Sequence, residues 1–417
     1  MNEKETILEI AIKAKKGAKI LANISSEKKN IALKNLSQNL KIFSNDLIKE
    51  NKKDIENAVK SKLTAALIVR LTLTTDRINS MIISLNEIIK LTDPIGKIIS
   101  EWKRPNGLHI KKISTPLGVI GFIYESRPNV TVDASAIAVK SSNAVILRGG
   151  KESFYTSSKL KEIITESFYQ AGLPKEAVQM IGSTDRKIID EMLKLDQFID
   201  VIIPRGGKGL ITAIKEKTSI PIIKHLDGIC HVYVDKNADF SKAKDLIFNS
   251  KMRRVGICGA AETLLIDKHW SDNVLELIQP LINAGCEIRG DEFISNLDPL
   301  FKKATDEDWK TEYLEKIISV KLVNDYQKAI EHINEYSSGH TECIITEDNI
   351  VFENFYKQID SAIILQNAST QFADGGEFGF GAEVGISTDK LHVRGPVGVQ
   401  HLTSFKYVIH GNGQVRD

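Results

Sequence analysis

Cys258 sits in Arg253-Arg254-Val255-Gly256-Ile257-Cys258-Gly259-Ala260-Ala261-Glu262-Thr263, a segment whose glycines and small residues leave the sulfur open to close approach. Two arginines just upstream favour a thiolate electrostatically. Only a small fraction of a free thiol ionises at neutral pH, yet the thiolate is so nucleophilic that covalent catalysis is the chemistry such a segment would serve. A small buried hydrophobe is the competing reading, since most lone cysteines are that.

Two further segments carry bases around a Gly-Gly turn at the end of an apolar run: Ile146-Leu147-Arg148-Gly149-Gly150-Lys151 and Ile203-Pro204-Arg205-Gly206-Gly207-Lys208-Gly209. Exposed amides with Arg and Lys suit phosphate, and strand ends in open α/β sheets are where nucleotides bind. The second segment precedes a helical pattern whose N-terminus would receive a pyrophosphate. Neither is a Walker A loop, because the first glycine is missing at 145 and 202, and neither is GxGxxG. Each could equally be a plain turn with solvated bases. In Tyr124-Glu125-Ser126-Arg127-Pro128-Asn129, Pro128 stiffens a turn, and Asn129 either offers its NH2 to an oxyanion or caps a helix. Phe372-Ala373-Asp374-Gly375-Gly376-Glu377-Phe378-Gly379-Phe380-Gly381 is a loop in which exposed backbone can meet a polar ligand. His225, His231, His340, His392 and His401 show no ligand spacing, so no metal is expected.

The elements that must position these residues change character along the chain. The first hundred residues are Lys-rich, with Leu33, Leu36, Leu40 and Phe43 at helical spacing, and predict several amphipathic helices with solvated polar faces. From Thr115 short apolar runs take over, and strands are predicted over 117–123, 144–147, 177–181, 198–203 and 231–234. A helix with Leu160, Ile163, Ile164 and Phe168 on one face stops at Gly172-Leu173-Pro174. Alternating strands and helices imply a parallel, doubly wound α/β sheet. A second alternating region runs over 262–365, and β-formers at 402–409 close the chain.

Bulk composition narrows the function classes. The 417 residues can hold two or three domains, and a net charge of +2 argues against nucleic-acid binding or membrane adsorption as the main role. No apolar run nears the roughly 20 residues of a membrane span. Cys230, Cys258, Cys286 and Cys343 are widely spaced with no CxxC pair, so they read as free thiols of a reducing, cytoplasmic compartment.

Several long motifs, in order, together resemble one family. They are Tyr124-Glu125-Ser126-Arg127-Pro128-Asn129-Val130-Thr131, Leu147-Arg148-Gly149-Gly150-Lys151-Glu152, Lys224-His225-Leu226-Asp227-Gly228-Ile229-Cys230-His231, Ala261-Glu262-Thr263-Leu264-Leu265 and Gly385-Ile386-Ser387-Thr388. The chain resembles the γ-glutamyl phosphate reductase family, a branch of the aldehyde dehydrogenase superfamily. The resemblance implies an aldehyde dehydrogenase-like α/β fold, with two doubly wound α/β domains and a small β oligomerisation flap. It implies an NADP-binding domain over 1–104 and 122–231, a catalytic domain over 232–370, and a flap with C-terminal segment from 105–121 and 385–417. The implied reaction is NADPH-dependent reduction of L-glutamyl 5-phosphate to L-glutamate 5-semialdehyde with release of phosphate, the second step of proline synthesis.

Residue by residue, the resemblance implies that Cys258 is the nucleophile and forms a thioester, while Asn129 and the Cys258 backbone N–H stabilise the oxyanion. Ordinary aldehyde dehydrogenases carry a glutamate base where this chain has His225; a reductase that must keep water off its thioester has no use for that base. An acidic residue that meets the cofactor ribose is replaced by Lys151, beside Arg148, which favours the 2′-phosphate of NADP. Gly206 and Gly207 would meet the pyrophosphate, Glu312 the nicotinamide ribose, and Arg127 an anionic substrate group. Two positions depart from the family: Gly259 replaces a usual Asn after the nucleophile, and Gln371 replaces the Arg of Ser-Thr-Arg-Phe. A homo-oligomer is expected, with transient contact to a separate glutamate 5-kinase. The rivals are a coenzyme A-dependent acylating dehydrogenase and a catalytically silent scaffold.

Overall fold

The computed structural model describes residues 6–416 apart from 184, 186 and 225, so His225 lies outside the described residues. Two compact units share the chain. Unit 1 comprises Met1–Lys224, Gly379–Gly385 and Val397–Asp417; unit 2 comprises His225–Phe378 and Ile386–Pro396.

Five helices open unit 1: α1 (Ile7–Leu21), α2 (Ser26–Ile42), α3 (Ser44–Lys60), α4 (Ala65–Leu71) and α5 (Thr75–Lys90). Thr6, Ser25, Thr64 and Thr74 start four of them, each accepting the N–H three residues on. Leu33, Leu36 and Leu40 are buried as their spacing predicts, but Phe43 ends α2 and is exposed. Gly17 lets α1 lie on the backbone at Glu176, where a Cβ would come within 2.7 Å of the carbonyl.

After strands β1 (Ile98–Lys103) and β2 (His109–Pro116), a four-stranded parallel sheet forms from β3 (Val119–Tyr124), β4 (Ala144–Arg148), β5 (Val178–Met180) and β6 (Val201–Arg205). Its order is β5-β4-β3-β6. Helices α6 (Pro128–Lys140), α7 (Phe154–Gln170), α8 (Lys187–Met192) and α9 (Lys208–Lys217) connect the strands. Gly172, at φ +83°, ends the α7 segment. Two strands begin at least two residues later than predicted. Gly118 has φ +130° and presses on the Asp200 carboxylate, so β3 starts at Val119. Phe198 and Ile199 turn back on Leu195 O before β6; an apolar turn and a buried strand have the same composition.

Unit 2 holds a seven-stranded parallel sheet of β7 (Cys230–Val234), β8 (Ala261–Asp267), β9 (Glu287–Gly290), β10 (Lys302–Lys303), β11 (Ile317–Val323), β12 (Thr341–Ile345) and β13 (Ile363–Gln366). The order is β10-β9-β11-β8-β7-β12-β13. Alternate residues enter two cores: Val232, Leu264 and Val320 pack with α10 (Phe240–Met252) and α11 (Val274–Asn283). Tyr233, Leu265 and Ile344 pack with Ile333 and Phe355 of two later helices. Both faces are therefore covered, as a parallel sheet requires. Cys230 and His231, expected at the end of the first domain, begin a central strand of this sheet. Their apolar alternation reads alike for either sheet.

A two-stranded piece, β14 (Ile386–Ser387) with β15 (Gly395–Pro396), precedes the last strand, β16 (Thr403–His410). In unit 1, β16 and β1 flank β2 in an antiparallel sheet. Residues 98–103 thus belong to the small sheet rather than to the helical N-terminal segment, and Val119–Gly121 belong to the parallel one. Ile98, Trp102, Phe405, Tyr407 and Ile409 are exposed on it.

Unit 1 buries two lysines together. Lys29 Nζ lies 2.5 Å from Asp93 and donates to Lys140 O and Ser142 Oγ, while Lys140 Nζ donates to Asn30 Oδ1 and Ile89 O. Burial pushes Lys140 down to about 8, with Asp93 opposing and Lys29 reinforcing the shift. A lysine held below its ordinary value near 10.5 is harder to protonate when folded, so its contribution to stability rises with pH from about 8 upward. The melting temperature of the wild type relative to Lys140→Met should therefore increase between pH 7.5 and 9.5. A difference independent of pH would refute the assignment.

Candidate functional site

The carboxyl ends of β3 and β4, with α8 and the α9 that follows β6, frame a cleft of about 690 Å³ in unit 1. The chain winds from β3 to β5 in one direction and then returns β6 to the other side of β3, so the cleft lies at a topological switch point. One wall is apolar: Ile189 and Leu193 face Leu210, Ala213 and Ile214 of α9. The other is charged, with Arg148, Lys151, Lys187, Glu125 and Glu152. Arg148 is buried and donates to Gly149 O at 3.0 Å, whereas Lys151 is exposed. The Gly206-Gly207 turn stands just before α9 rather than lining the cleft. Gly207 N–H donates to Glu125 Oε2 at 3.1 Å, and a Cβ on Gly206 would meet that oxygen at 2.6 Å. Lys217 pairs with Asp190 at 2.8 Å, joining α9 to α8 beside the cleft. Sequence reasoning missed Lys187 and the α9 wall, although Leu210, Ala213, Ile214 and Lys217 recur at helical spacing.

Pro128 occupies the first turn of α6, and Arg127, half-buried, is its N-cap residue without a capping side chain. Asn129 is therefore inside the helix rather than capping it. It is exposed, and its Nδ2 donates to Asp133 Oδ2, one turn on, at 3.0 Å. Burial raises the Asp133 carboxyl to about 6, while the Asn129 amide and the Arg205 charge pull it down. Gly385 packs on the Arg205 guanidinium, where a Cβ would lie 2.7 Å from Nη1.

Unit 2 gathers its candidates at the opposite, amino-terminal edge of its sheet. Cys258 precedes β8, Gly228 precedes β7 and Glu312 precedes β11. Gly228 lies directly on the Cys258 main chain: a Cβ there would come within 2.7 Å of Cys258 Cα. Its N–H donates to Glu312 Oε1 at 2.9 Å, and the neighbouring Ile229 N–H donates to Ser338 Oγ at 2.9 Å. Burial raises Glu312, with the Gly228 N–H opposing. Cys230 Sγ donates to Cys258 O at 3.1 Å.

Cys258 is half-buried against Ile363, Ala373 and Ile386, while Cys230, Cys286 and Cys343 are buried. Burial pushes the Cys230 thiol well above its ordinary range, Cys286 to about 11 and Cys343 to about 12. Arg253 and Arg254 are exposed. Gly259 is buried under Thr370, where a Cβ would stand 3.0 Å from the carbonyl oxygen. Gln371, which replaces the Arg of Ser-Thr-Arg-Phe, is also buried. Among the described residues no three His, Cys, Asp or Glu side chains are arranged to hold a metal, and no helix is long and apolar enough to cross a membrane.

A parallel-sheet unit with a switch-point cleft, and a second one carrying an accessible thiol in a glycine-lined loop, define an aldehyde dehydrogenase-like protein. The sequence profile described as the Aldehyde dehydrogenase family matches residues 2–285, and the chain belongs to that family. Within it, the chain is one of the γ-glutamyl phosphate reductases. The reductase of that name from Bartonella tribocorum is 52% identical over 405 residues, covering 97% of this chain and 99% of its own. That of Brucella suis is 50% identical over 414 residues, covering 99% and 98%. The crystal structure of γ-glutamyl phosphate reductase from Thermotoga maritima superimposes with a TM-score of 0.96 at 40% identity, covering 99% of this chain and 100% of that one. An acetylating aldehyde dehydrogenase from Geobacillus thermoglucosidasius, 20% identical, shares the fold with a TM-score of 0.72, covering 99% and 97%.

The Asp133 carboxyl yields a stability prediction. A carboxyl held at about 6, above its ordinary 3.8, binds its proton more tightly when folded. The stability it contributes is complete below about pH 4 and is lost as pH rises through 6. Asp133→Asn keeps an acceptor for Asn129 without that loss. The variant should melt above the wild type at pH 8 and no higher than it at pH 4.5; the reverse order would rule out a raised carboxyl.

Proposed function

We propose that this chain reduces L-glutamyl 5-phosphate to L-glutamate 5-semialdehyde with NADPH, releasing phosphate, as the second step of proline synthesis from glutamate. The observation that carries this reading is the contrast among thiols: Cys258 is half-buried in a loop, and the other three are buried with raised thiols. The shared name of the relatives supports the substrate, and membership of the family supports a nicotinamide cofactor.

The unit 1 cleft fits such a cofactor. Its volume lies within the usual range for ligand sites, and it pairs an apolar slot with basic side chains at a switch point. Arg148 and Lys151, which line the cleft, would hold the 2′-phosphate, and Glu312 the nicotinamide ribose; the Gly206-Gly207 turn is given no pyrophosphate contact, since it lies outside the cleft lining and its Gly207 N–H is engaged by Glu125. When bound, the reduced cofactor supplies a hydride to an acyl carbon.

The Cys258 thiolate attacks the acyl phosphate carbonyl; the S–C bond forms, the C–O bond to phosphate breaks, and phosphate leaves. Asn129 Nδ2 and the Cys258 N–H donate to the oxyanion, and Arg127 contacts an anionic group of the substrate. After reduction the S–C bond breaks, the aldehyde is released and the sulfur is free again. His225 stands where related oxidising enzymes carry a glutamate base, which supports reduction of the thioester over its hydrolysis. The exposed apolar side chains of the small sheet support a homo-oligomer. The site would work in the cytoplasm on acyl phosphate supplied by a glutamate 5-kinase.

The reverse reaction tests the proposal: glutamate 5-semialdehyde, phosphate and NADP should give NADPH, and coenzyme A should not substitute for phosphate. Cys258→Ala should lower turnover at least about a thousandfold, and Asn129→Ala about a hundredfold or more. Lys151→Glu should weaken NADP about tenfold or more and spare NAD, since one cation near a phosphate becomes an anion. Equal turnover by Cys258→Ala would end the covalent mechanism, and strong native preference for NAD would end the role of Lys151 and Arg148.

A further inference from the structure

We infer that Gln371 is the positioning residue for the loop that carries Cys258. Helix α10 ends at Met252, and its last carbonyls need donors from outside the helix. Gln371 supplies one of them. Its Nε2 donates to Ser250 O at 2.8 Å, with a longer contact to Arg254 O at 3.4 Å. Ser250 belongs to the helix and Arg254 to the loop, so one amide marks where the helix stops and the nucleophile loop starts. The side chain is 4% exposed, so water does not compete for those carbonyls.

The turn around Gln371 touches the loop at both ends. At its start, Thr370 N–H donates to Ser250 Oγ at 3.2 Å, and that hydroxyl lies 3.3 Å from Ser369 Oγ. Ser369 Oγ in turn accepts the Gln371 N–H at 3.2 Å, which closes the turn on itself. At the far end, Thr370 O covers Gly259, and Ala373 packs against Cys258. The short segment Ser369–Ala373 is thus a bracket across residues 250–259, and Gln371 is its donor to the main chain. Gln371 Oε1 is buried and finds no hydrogen-bond partner among the described residues. An orphaned acceptor costs free energy, so the amide earns its place through its N–H groups and not through its oxygen. The same donors explain how the position serves without a positive charge.

The inference rests on Cys258 being the nucleophile, and the test separates the two ideas. Gln371→Met keeps the volume and removes the donors; Gln371→Arg returns donors to the same carbonyls. Gln371→Met should speed deuterium exchange in residues 253–260 and change the iodoacetamide rate of Cys258 at least threefold. It should lower kcat about tenfold or more with the KM for NADP altered less than twofold. Gln371→Arg should restore exchange, alkylation and kcat to within threefold of the wild type. If Gln371→Met does not fold, Ser250→Ala, which removes the two hydroxyl contacts of the bracket and leaves the Gln371 donors, should give a smaller change of the same kind. Wild-type exchange and alkylation in Gln371→Met, or equal damage in Gln371→Met and Gln371→Arg, would overturn the inference. Exchange and alkylation need no turnover, so they decide the role of Gln371 even for a wild type inactive on the semialdehyde.

Discussion

The close approach of Gly228 to the main chain of Cys258 is the constraint on which unit 2 depends. A reactive thiol on a loop needs a fixed backbone, and here the backbone is fixed by contact rather than by ladder hydrogen bonds. With any side chain at 228 the two segments would have to separate, since a Cβ would already lie 2.7 Å from Cys258 Cα. Because they touch, three other interactions become possible at once. The Gly228 N–H reaches Glu312, Cys230 Sγ reaches Cys258 O, and β7 and β8 start side by side in the sheet. Two of them join the thiol loop to β7, and the third holds Gly228 itself to Glu312.

The two units use opposite edges of their sheets, with different electrostatics. In unit 1 the candidate residues follow β3, β4 and β6, where helix N-termini point N–H groups outward and favour anions. In unit 2 they precede their strands, at the edge where α10 ends and its last carbonyls need donors from outside the helix. That edge is a poor place for negative charge unless donors are brought to it. The buried Gln371 amide brings them to the α10 end, and the Gly228 N–H does so for Glu312.

Much of this architecture was legible from residue type and period. The helical spacing of Leu33, Leu36 and Leu40, the apolar runs of β3 and β4, and the Gly172 stop all rest on local physics, and local physics survives into the fold. What was hidden depended on partners distant in the chain. The sheet membership of Cys230–Val234 is set by pairing with β8 and β12, which no alternation of apolar residues reveals. Residues 98–103 join β2 by pairing alone, and their fully exposed surface carries no burial pattern. Asn129 was visible as chemistry, but not the carboxylate that orients it, although Asp133 stands at the i+4 spacing of a helix face. Gln371 was the least legible. Loss of a charge suggests loss of a ligand contact, whereas its side chain serves carbonyls about 120 residues earlier.

The cleft of unit 1 shows why overall charge is a weak guide to ligand charge. The whole chain is nearly neutral, and the cleft itself mixes acids with bases. Its acids, however, are already engaged: Glu125 by the Gly207 N–H, Glu152 by Ser126 Oγ, and Asp190 by Lys217. A carboxylate that accepts hydrogen bonds from its own fold projects less of its charge toward a ligand. Lys151 and Lys187 are exposed at the same surface, and Arg148 adds a fixed guanidinium beside them. The basic side chains of the lining therefore face a ligand beside acids that the fold already engages. Which side chains are tied down is set by the fold, and a residue tally cannot express that.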